Sequence, residues 1–206
     1  MAPMTAGIRE MMAEQCRISF AAWPQTWRAQ VLDAPPMIAP ARQFTYPMQI
    51  AGEEDTLARG ALQLLVHPSA GGTFLATCAL GFTSASMPTG IFAAPNPDEL
   101  CAVAGGYAYI VNTAHPDRCV HLSLKPVVAV RVLPVQNLLV FAGFHHLMAW
   151  GAQGLAWETA RLSWEGVTLG AVEGDHLTGH GWNMQTDKDV PFTVDLRTGI
   201  HAGGGF

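Results

Sequence analysis

Glycines divide residues 137–168 into short apolar segments, and this punctuation constrains the fold more than any other feature of the chain. The segments are residues 138–141, 146–150 and 155–163, and the dividing glycines are Gly143, Gly151, Gly154 and Gly166. Apolar, β-branched and aromatic residues between glycine-rich turns are typical of antiparallel strands. The pattern therefore predicts a meander of short strands.

The composition indicates extensive buried surface and argues against two classes of partner. Half of the residues are hydrophobic and 13% are charged, so many strands must be covered on both faces or at an interface. The net charge is −5, and the 11 Lys and Arg residues are scattered singly, whereas nucleic-acid binding needs clustered positive charge. No window approaches the roughly 20 apolar residues of a membrane span. We expect a soluble, cytoplasmic protein that binds neither nucleic acid nor membrane.

The first 50 residues differ from the rest. Residues 5–17 are predicted to form a helix that Thr5 caps, and their charged side chains do not fit a signal peptide. Residues 23–32 allow a second short helix opened by Pro24. Four prolines in residues 33–47 forbid a regular helix or central strand. That segment is therefore predicted as an extended arm packed on the body.

Residues 51–206 are predicted to form one all-β domain. ALQLLVHP and TFLATCALGF indicate two strands, the second of them covered on both faces. Residues 84–98 contain three prolines and are predicted as a long, turn-rich loop with Ile91 and Phe92 at its centre. Gly105 and Gly106 then indicate a hairpin turn.

Strand starts recur at a constant spacing along this domain. The predicted starts are 38 residues apart, at Ala61, Glu99, Asn137 and Asp175. A period near 40 residues with about four short strands is the length of one β-propeller blade. We therefore predict antiparallel meanders that form a small or partial propeller, with a β-sandwich or barrel as the alternative.

Two segments carry a resemblance to a known family. WGAQGLAW at residues 150–157 and VDLRTG at residues 194–199 look like the turns that end quinoprotein-type propeller blades, which show an Asp, a Thr-Gly and then a Trp. The run from ARGALQLLVHP to PFTVDLRTG also resembles uncharacterised bacterial proteins. The resemblance implies a blade-like fold, and it implies neither an activity nor a quinone cofactor.

Candidate catalytic residues are few. The chain contains no GxSxG, HExxH, Walker or dinucleotide-binding motif. Asp175, His176 and His180 form the densest cluster of possible ligands, but on a strand the two histidines lie about 13 Å apart at roughly 3.3 Å per residue. His145 and His146 would point to opposite faces of a strand. We therefore predict no bound metal and no cofactor.

The cysteines and the aromatic residues are two further sets of candidates. Buried, reduced thiols are expected for the cysteines, which form no CxxC pair and stand at Cys16, Cys78, Cys101 and Cys119. Aromatic side chains can line a binding face, although core packing is the alternative for each; the candidates are Phe92, Tyr107, Trp150 and Trp182.

These patterns leave three hypotheses for function. The first is a non-enzymatic binding or assembly module with a protein or small-molecule partner. The second is a hydrolase or metal-dependent enzyme that uses Asp175, His176 and His180, with His115 or Asp117. The third is a small-ligand pocket roofed by residues 84–98. In each case we expect a homodimer, because an unclosed array of repeats leaves strand edges to be covered.

Overall fold

The computed structural model describes residues 16–47 and 56–206, where the regular structure consists of seventeen β-strands and a short 3-10 helix, Thr56–Arg59. The predicted all-β class is confirmed. Most of the predicted helix at residues 5–17 lies outside the described residues, and its last residue, Arg17, begins strand β1 (Arg17–Ser19) instead. Within the described ranges, no helix is long and apolar enough to cross a membrane.

The chain divides into two compact units. Unit 1 comprises the described residues up to Ala93 together with Pro97–Lys125, and unit 2 comprises Ala94–Asn96 together with Pro126–Phe206. Each unit contains two sheets.

The first sheet of unit 1 has the order β2-β4-β5-β3. Its strands are β2 (Trp27–Leu32), β3 (Arg42–Tyr46), β4 (Ala61–Pro68) and β5 (Phe74–Ala79). β2 pairs antiparallel with β4, and this pairing buries alternate residues such as Trp27. A strand therefore forms where the sequence also allowed a second helix. β3 lies within the segment predicted as an arm and pairs parallel with β5. β5 is buried on both faces, as predicted.

The second sheet of unit 1 has the order β1-β6-β7-β8-β9. The added strands are β6 (Gly90–Ala93), β7 (Glu99–Ala104), β8 (Tyr107–Asn112) and β9 (Cys119–His121). The hairpin turn at Gly105 and Gly106 is present, with positive φ angles of 54° and 82°. The predicted loop at residues 84–98 contains β6, so that expectation was wrong in part. Ile91 and Phe92 are buried there between β1 and β7.

Unit 2 consists of two antiparallel meanders in chain order. The first contains β10 (Ala129–Leu133), β11 (Leu138–Ala142), β12 (Leu147–Gly151) and β13 (Gly154–Glu158). The second contains β14 (Val167–Glu173), β15 (His176–Asn183), β16 (Lys188–Asp195) and β17 (His201–Gly203). Both contribute to one hydrophobic core, which includes Val140, Leu147, Trp157, Leu177 and Phe192. Four short antiparallel strands are the content of a propeller blade.

The spacing of the sheets follows the spacing seen in the sequence. The strands β4, β7, β11 and β15 begin 38, 39 and 38 residues apart, at Ala61, Glu99, Leu138 and His176. Each of these strands begins an antiparallel hairpin with the strand that follows it in the chain. The strand predicted over residues 155–163 is shorter than expected, because β13 ends at Glu158. The chain then turns so that Leu162 N–H donates to His145 O over 2.7 Å.

Candidate functional site

The predicted cluster of Asp175, His176 and His180 lies in unit 2, and Arg197 contacts its acidic residue. Asp175 stands in the turn before β15, and its Oδ2 lies 3.5 Å from Arg197 Nε. Arg197 Nη2 also lies 3.3 Å from Asp195 Oδ2. Hydrogen bonds from the backbone and the side chain of Arg197 hold the pKa of Asp195 below its usual range. Both carboxylates therefore contact Arg197, which lies in the surface turn that joins β16 to β17.

His176 and His180 both lie on β15, as predicted, and both are exposed. Their strand partners differ, because His176 is opposite Asp195 and His180 is opposite Pro191. Within the described residues, no group of three or more His, Cys, Asp or Glu side chains is placed to hold a metal ion.

His145 and His146 lie in the turn between β11 and β12 and not on a strand, so the expectation of opposite strand faces was wrong. His146 Nε2 lies 2.7 Å from Glu158 Oε1. That atom is shielded from solvent, and the geometry of the contact is not that of a hydrogen bond. His145 Nδ1 lies 3.4 Å from Arg161 Nη2. The two rings thus contact the last residue of β13 and a residue that follows this strand.

The candidate aromatic residues are engaged in packing inside their own units. Phe92 and Tyr107 are buried in unit 1, where Tyr107 contacts Phe82 and His121 at ring-centre distances of 6.0 and 4.9 Å. Trp150 is buried in β12 of unit 2. Trp182, on β15, is half-buried and donates from Nε1 to Asp187 Oδ1 over 3.0 Å.

The remaining sequence candidates in unit 1 are two residues of a turn and the four cysteines. His115 and Asp117 lie in an exposed turn, in which Asn112 Oδ1 accepts hydrogen bonds from the backbone N–H groups of Ala114 and His115. The four cysteines are free thiols. Burial raises the pKa of each thiol, to about 12 for Cys119. Such thiols are poor nucleophiles and poor metal ligands at neutral pH.

A groove in unit 1 offers a more open site. It has a volume of about 590 Å³, and we call it the β2–β4 groove; its lining residues are Gln25, Trp27, Arg28, His67, Pro68 and Ser69. These residues stand where β2 begins and β4 ends. The register places Trp27 opposite Pro68 and Arg28 opposite His67.

Hydrogen bonds of Thr26 hold the two sides of this groove together. Ser69 N–H donates to Thr26 O over 2.6 Å, and Thr26 N–H donates to Pro97 O over 3.0 Å. The Thr26 hydroxyl donates to Asp98 Oδ1 over 2.5 Å. The backbone on either side of the lining residues is therefore anchored, and a ligand would meet a preformed surface.

The groove combines apolar and polar surfaces. Trp27 is 2% exposed and packs edge-on against Phe20 with ring centres 5.1 Å apart. The Nε1 atom of Trp27 is buried and has no hydrogen-bond partner among the described residues. Arg28 and His67 are exposed. His67 Nδ1 lies 2.9 Å from Thr73 Oγ1, which fixes the ring and leaves its Nε2 atom for other contacts.

Sequence reasoning missed this groove. The alternation in WRAQVL at residues 27–32 was a usable signal for a strand, because every second side chain is more exposed along its first four residues. No sequence pattern pairs Arg28 with His67, since that depends on which distant strands meet.

Comparison with known proteins adds little at the level of function. No protein-family model and no curated protein matches the chain. Among solved structures, the chain is similar to the N-terminal domain of Nup159, at 10% identity and a TM-score of 0.34. The match covers 92% of this chain and 53% of that one, so the chain spans about half the length of its structural neighbour. A similarity of this size supports no inference about ligand or activity.

Proposed function

We propose that this protein is a non-enzymatic binding module that takes a small molecule in the β2–β4 groove. The observation that carries the proposal is one volume of about 590 Å³ that is lined by the exposed side chains of Arg28, His67 and Ser69 beside the half-buried Pro68. Small-molecule sites typically have volumes of about 300–1,000 Å³, apolar linings and a few placed polar groups.

The sheets of unit 2 have a structural role of their own in this proposal. The turn at residues 194–199 is similar to those that end quinoprotein-type blades, and its contacts are structural. Asp195 Oδ1 accepts from Arg197 N–H over 2.8 Å, and Trp157 Nε1 donates to Leu196 O over 2.6 Å. These bonds support a role in joining neighbouring sheets of unit 2.

A groove-filling variant tests the proposal. Ser69→Trp places a large ring in the groove, and Ser86→Trp is the matched control at an exposed serine of unit 1 outside it. We expect fragments from a small-molecule library to shift the amide resonances of residues 25–28 and 67–69 in the wild type and in Ser86→Trp. The same fragments should lose binding to Ser69→Trp.

Two results would contradict the proposal. One is a library in which no fragment perturbs the groove resonances. The other is fragment binding that survives Ser69→Trp unchanged while circular dichroism shows the variant to be folded.

We also propose that the chain self-associates as a homodimer through an exposed strand edge. The sheet that ends with β13 leaves Leu155 55% exposed on its outermost strand.

A further inference from the structure

We infer that residues 161–164 and 181–183 of unit 2 form a binding groove for an extended peptide segment in which Gly-Gly is followed by an aromatic residue. Residues 204–206 of this chain, Gly-Gly-Phe, occupy that groove in the structure. The ligand class is a segment of the same kind from a second protein chain. We call this site the GGF groove. It shares no lining residue with the β2–β4 groove, so the two proposals are independent of each other.

The GGF groove binds the main chain of its occupant on both sides of one residue. Gly205 N–H donates to Leu162 O over 2.7 Å, and Asn183 Nδ2 donates to Gly205 O over 2.8 Å. One residue earlier, Gly204 N–H donates to Pro191 O over 3.0 Å. Such bonds do not depend on the side chains of the bound segment, and main-chain hydrogen bonds give affinity where a protein adds an extended peptide to a sheet.

The walls of the GGF groove select glycine at two positions. A Cβ added at Gly205 would stand 2.5 Å from the carbonyl carbon and oxygen of Trp182, and one added at Gly204 would stand 2.9 Å from Leu162 O. Both clashes are with backbone atoms, which cannot swing away as the end of a side chain can. Gly204 also has a φ of +106°, which favours glycine. On the wall itself, Gly181 permits the close approach, since a Cβ there would stand 3.2 Å from Gly205 N.

The third position of the GGF groove suits an aromatic side chain. The ring centre of Phe206 lies 4.9 Å from that of Trp164. The guanidinium carbon of Arg161 lies 4.4 Å from the ring centre of Phe206 and 5.1 Å from that of Trp164. A guanidinium within about 6 Å of an aromatic ring centre is attracted to the face of the ring. An aliphatic side chain would lack this attraction.

Hydrogen bonds that do not involve the occupant fix the walls of the GGF groove. Arg161 Nε donates to Ser163 O, and Arg161 Nη2 donates to Trp164 O, both over 3.0 Å. Trp164 N–H donates to Trp182 O over 3.0 Å, and Trp182 N–H donates to Ser163 Oγ over 2.9 Å. These bonds join the two walls to each other, so the groove would keep its shape when the occupant leaves.

The occupant lies at the surface, which allows it to be displaced. Phe206 is 61% exposed, and residues 204–206 are outside the buried core cluster of unit 2. A segment tethered by a short linker acts on its own site at an effective concentration of about millimolar. A peptide from a second chain must therefore compete with residues 204–206, and their contact with the groove is autoinhibitory.

A single substitution opens the GGF groove in the whole chain and tests this inference. Gly205→Ala should expel the occupant, because its added Cβ meets the backbone of Trp182. The probe is the peptide acetyl-AGGGF-amide, which copies residues 202–206 without terminal charges. In isothermal titration calorimetry, we expect Gly205→Ala to bind it at least about tenfold more tightly than the wild type does. The peptides acetyl-AGGAF-amide and acetyl-AGGGA-amide should bind Gly205→Ala at least about tenfold more weakly.

Two further substitutions in the Gly205→Ala background locate the peptide. Asn183→Asp removes the Nδ2 donor and keeps the Oδ1 acceptor of the Gln185 and Thr186 N–H groups, so binding should weaken about fivefold or more. Gln185→Glu adds the same charge at an exposed position of the adjacent turn and should leave the affinity unchanged. Circular dichroism checks each fold. Phe206→Ala, which adds no atoms to the occupant, takes the place of Gly205→Ala if that variant does not fold.

Each contrary result contradicts a separate part of the inference. A folded variant with an opened groove that does not bind acetyl-AGGGF-amide means that there is no such site. Equal affinities for the glycine and alanine peptides mean that the walls do not select glycine, and equal affinities for the peptides ending in Phe and Ala mean that the aromatic position is wrong. If the wild type binds as tightly as Gly205→Ala, the occupant does not inhibit. Equal effects of Asn183→Asp and Gln185→Glu would mean that charge, and not the bond to Nδ2, is responsible.

Discussion

Trp157 connects two elements of unit 2 through a single side chain. Its indole Nε1 donates to Leu196 O over 2.6 Å, and the side chain is 6% exposed. The ring lies against Gly199, where an added Cβ would stand 3.0 Å from Trp157 atoms. Gly199 also has a φ of +73°, a left-handed conformation that favours glycine. The packing of Trp157, the penultimate residue of β13, thus depends on the turn between β16 and β17.

Replacing Trp157 by Phe should lower the free energy of unfolding by about 1–3 kcal/mol, because it leaves the buried Leu196 carbonyl without its donor. Urea denaturation followed by circular dichroism measures the change. The control is Trp182→Phe, which removes the exposed bond to Asp187 and should cost within about 0.5 kcal/mol. Equal losses in the two variants would show that the Leu196 bond has no special weight.

At the scale of elements, the sheet of β14 to β17 depends on a glycine that allows a close approach. Gly179 on β15 is opposite Phe192 on β16 and Leu169 on β14. A Cβ added at Gly179 would stand 2.3 Å from Phe192 Cζ and 2.4 Å from the backbone oxygen of Thr168. The aromatic ring covers the glycine across the strand pair, which is a recognised way to pack a glycine in a sheet.

We expect Gly179→Ala to destabilise the protein by about 1–3 kcal/mol or more, the range for overpacking a well-filled interior. The backbone oxygen of Thr168 cannot move away without breaking the β14–β15 pairing. Gly151→Ala, on β12, is the matched control, because its nearest atoms would lie at an ordinary 3.6 Å. Thermal unfolding of the two variants side by side measures the difference. A Gly179→Ala variant as stable as Gly151→Ala would mean that the strands adjust at no cost.

At the scale of the whole molecule, β13 presents an edge that suits pairing with a second copy. It is the outermost strand of its sheet. Proteins protect such edges with Lys or Pro, and residues 154–158 contain neither. The charge on this strand, at Glu158, already contacts His146. An antiparallel pairing of two β13 strands about a two-fold axis would bring Leu155 of each copy into an apolar contact.

Light scattering coupled to size exclusion should therefore give twice the chain mass of 22.0 kDa. Leu155→Lys should shift the protein to the monomer mass, since an edge lysine opposes strand pairing. Ile200→Lys, at a position that is 73% exposed and outside β13, should leave the dimer intact. A wild type that stays at 22.0 kDa across micromolar concentrations would contradict the self-association proposal.

Local pattern alone determined the strand class, much of the turn chemistry and the spacing of the hairpins. The alternation and apolar runs of β4, β5 and β11 report burial of one or both faces, and Gly105 and Gly106 supply the positive φ angles of a tight turn. These features depend on neighbours in the chain, so they can be read from residue order. His176 and His180 lie on one strand, as the sequence indicated, whereas Phe92 was expected in a loop and lies on β6, and the contacts of these residues were not predicted.

Only the tertiary structure decided which distant strands pair, and with that the candidate site. Residues 23–32 allowed a short helix opened by Pro24, and pairing with β4 made residues 27–32 a strand. Similarly, β6 formed within a proline-rich loop because β1 and β7 cover its two edges. Arg28 and His67 became neighbours through that long-range register. Pairing between segments far apart in the chain depends on the free energy of the whole sheet, which no local periodicity encodes.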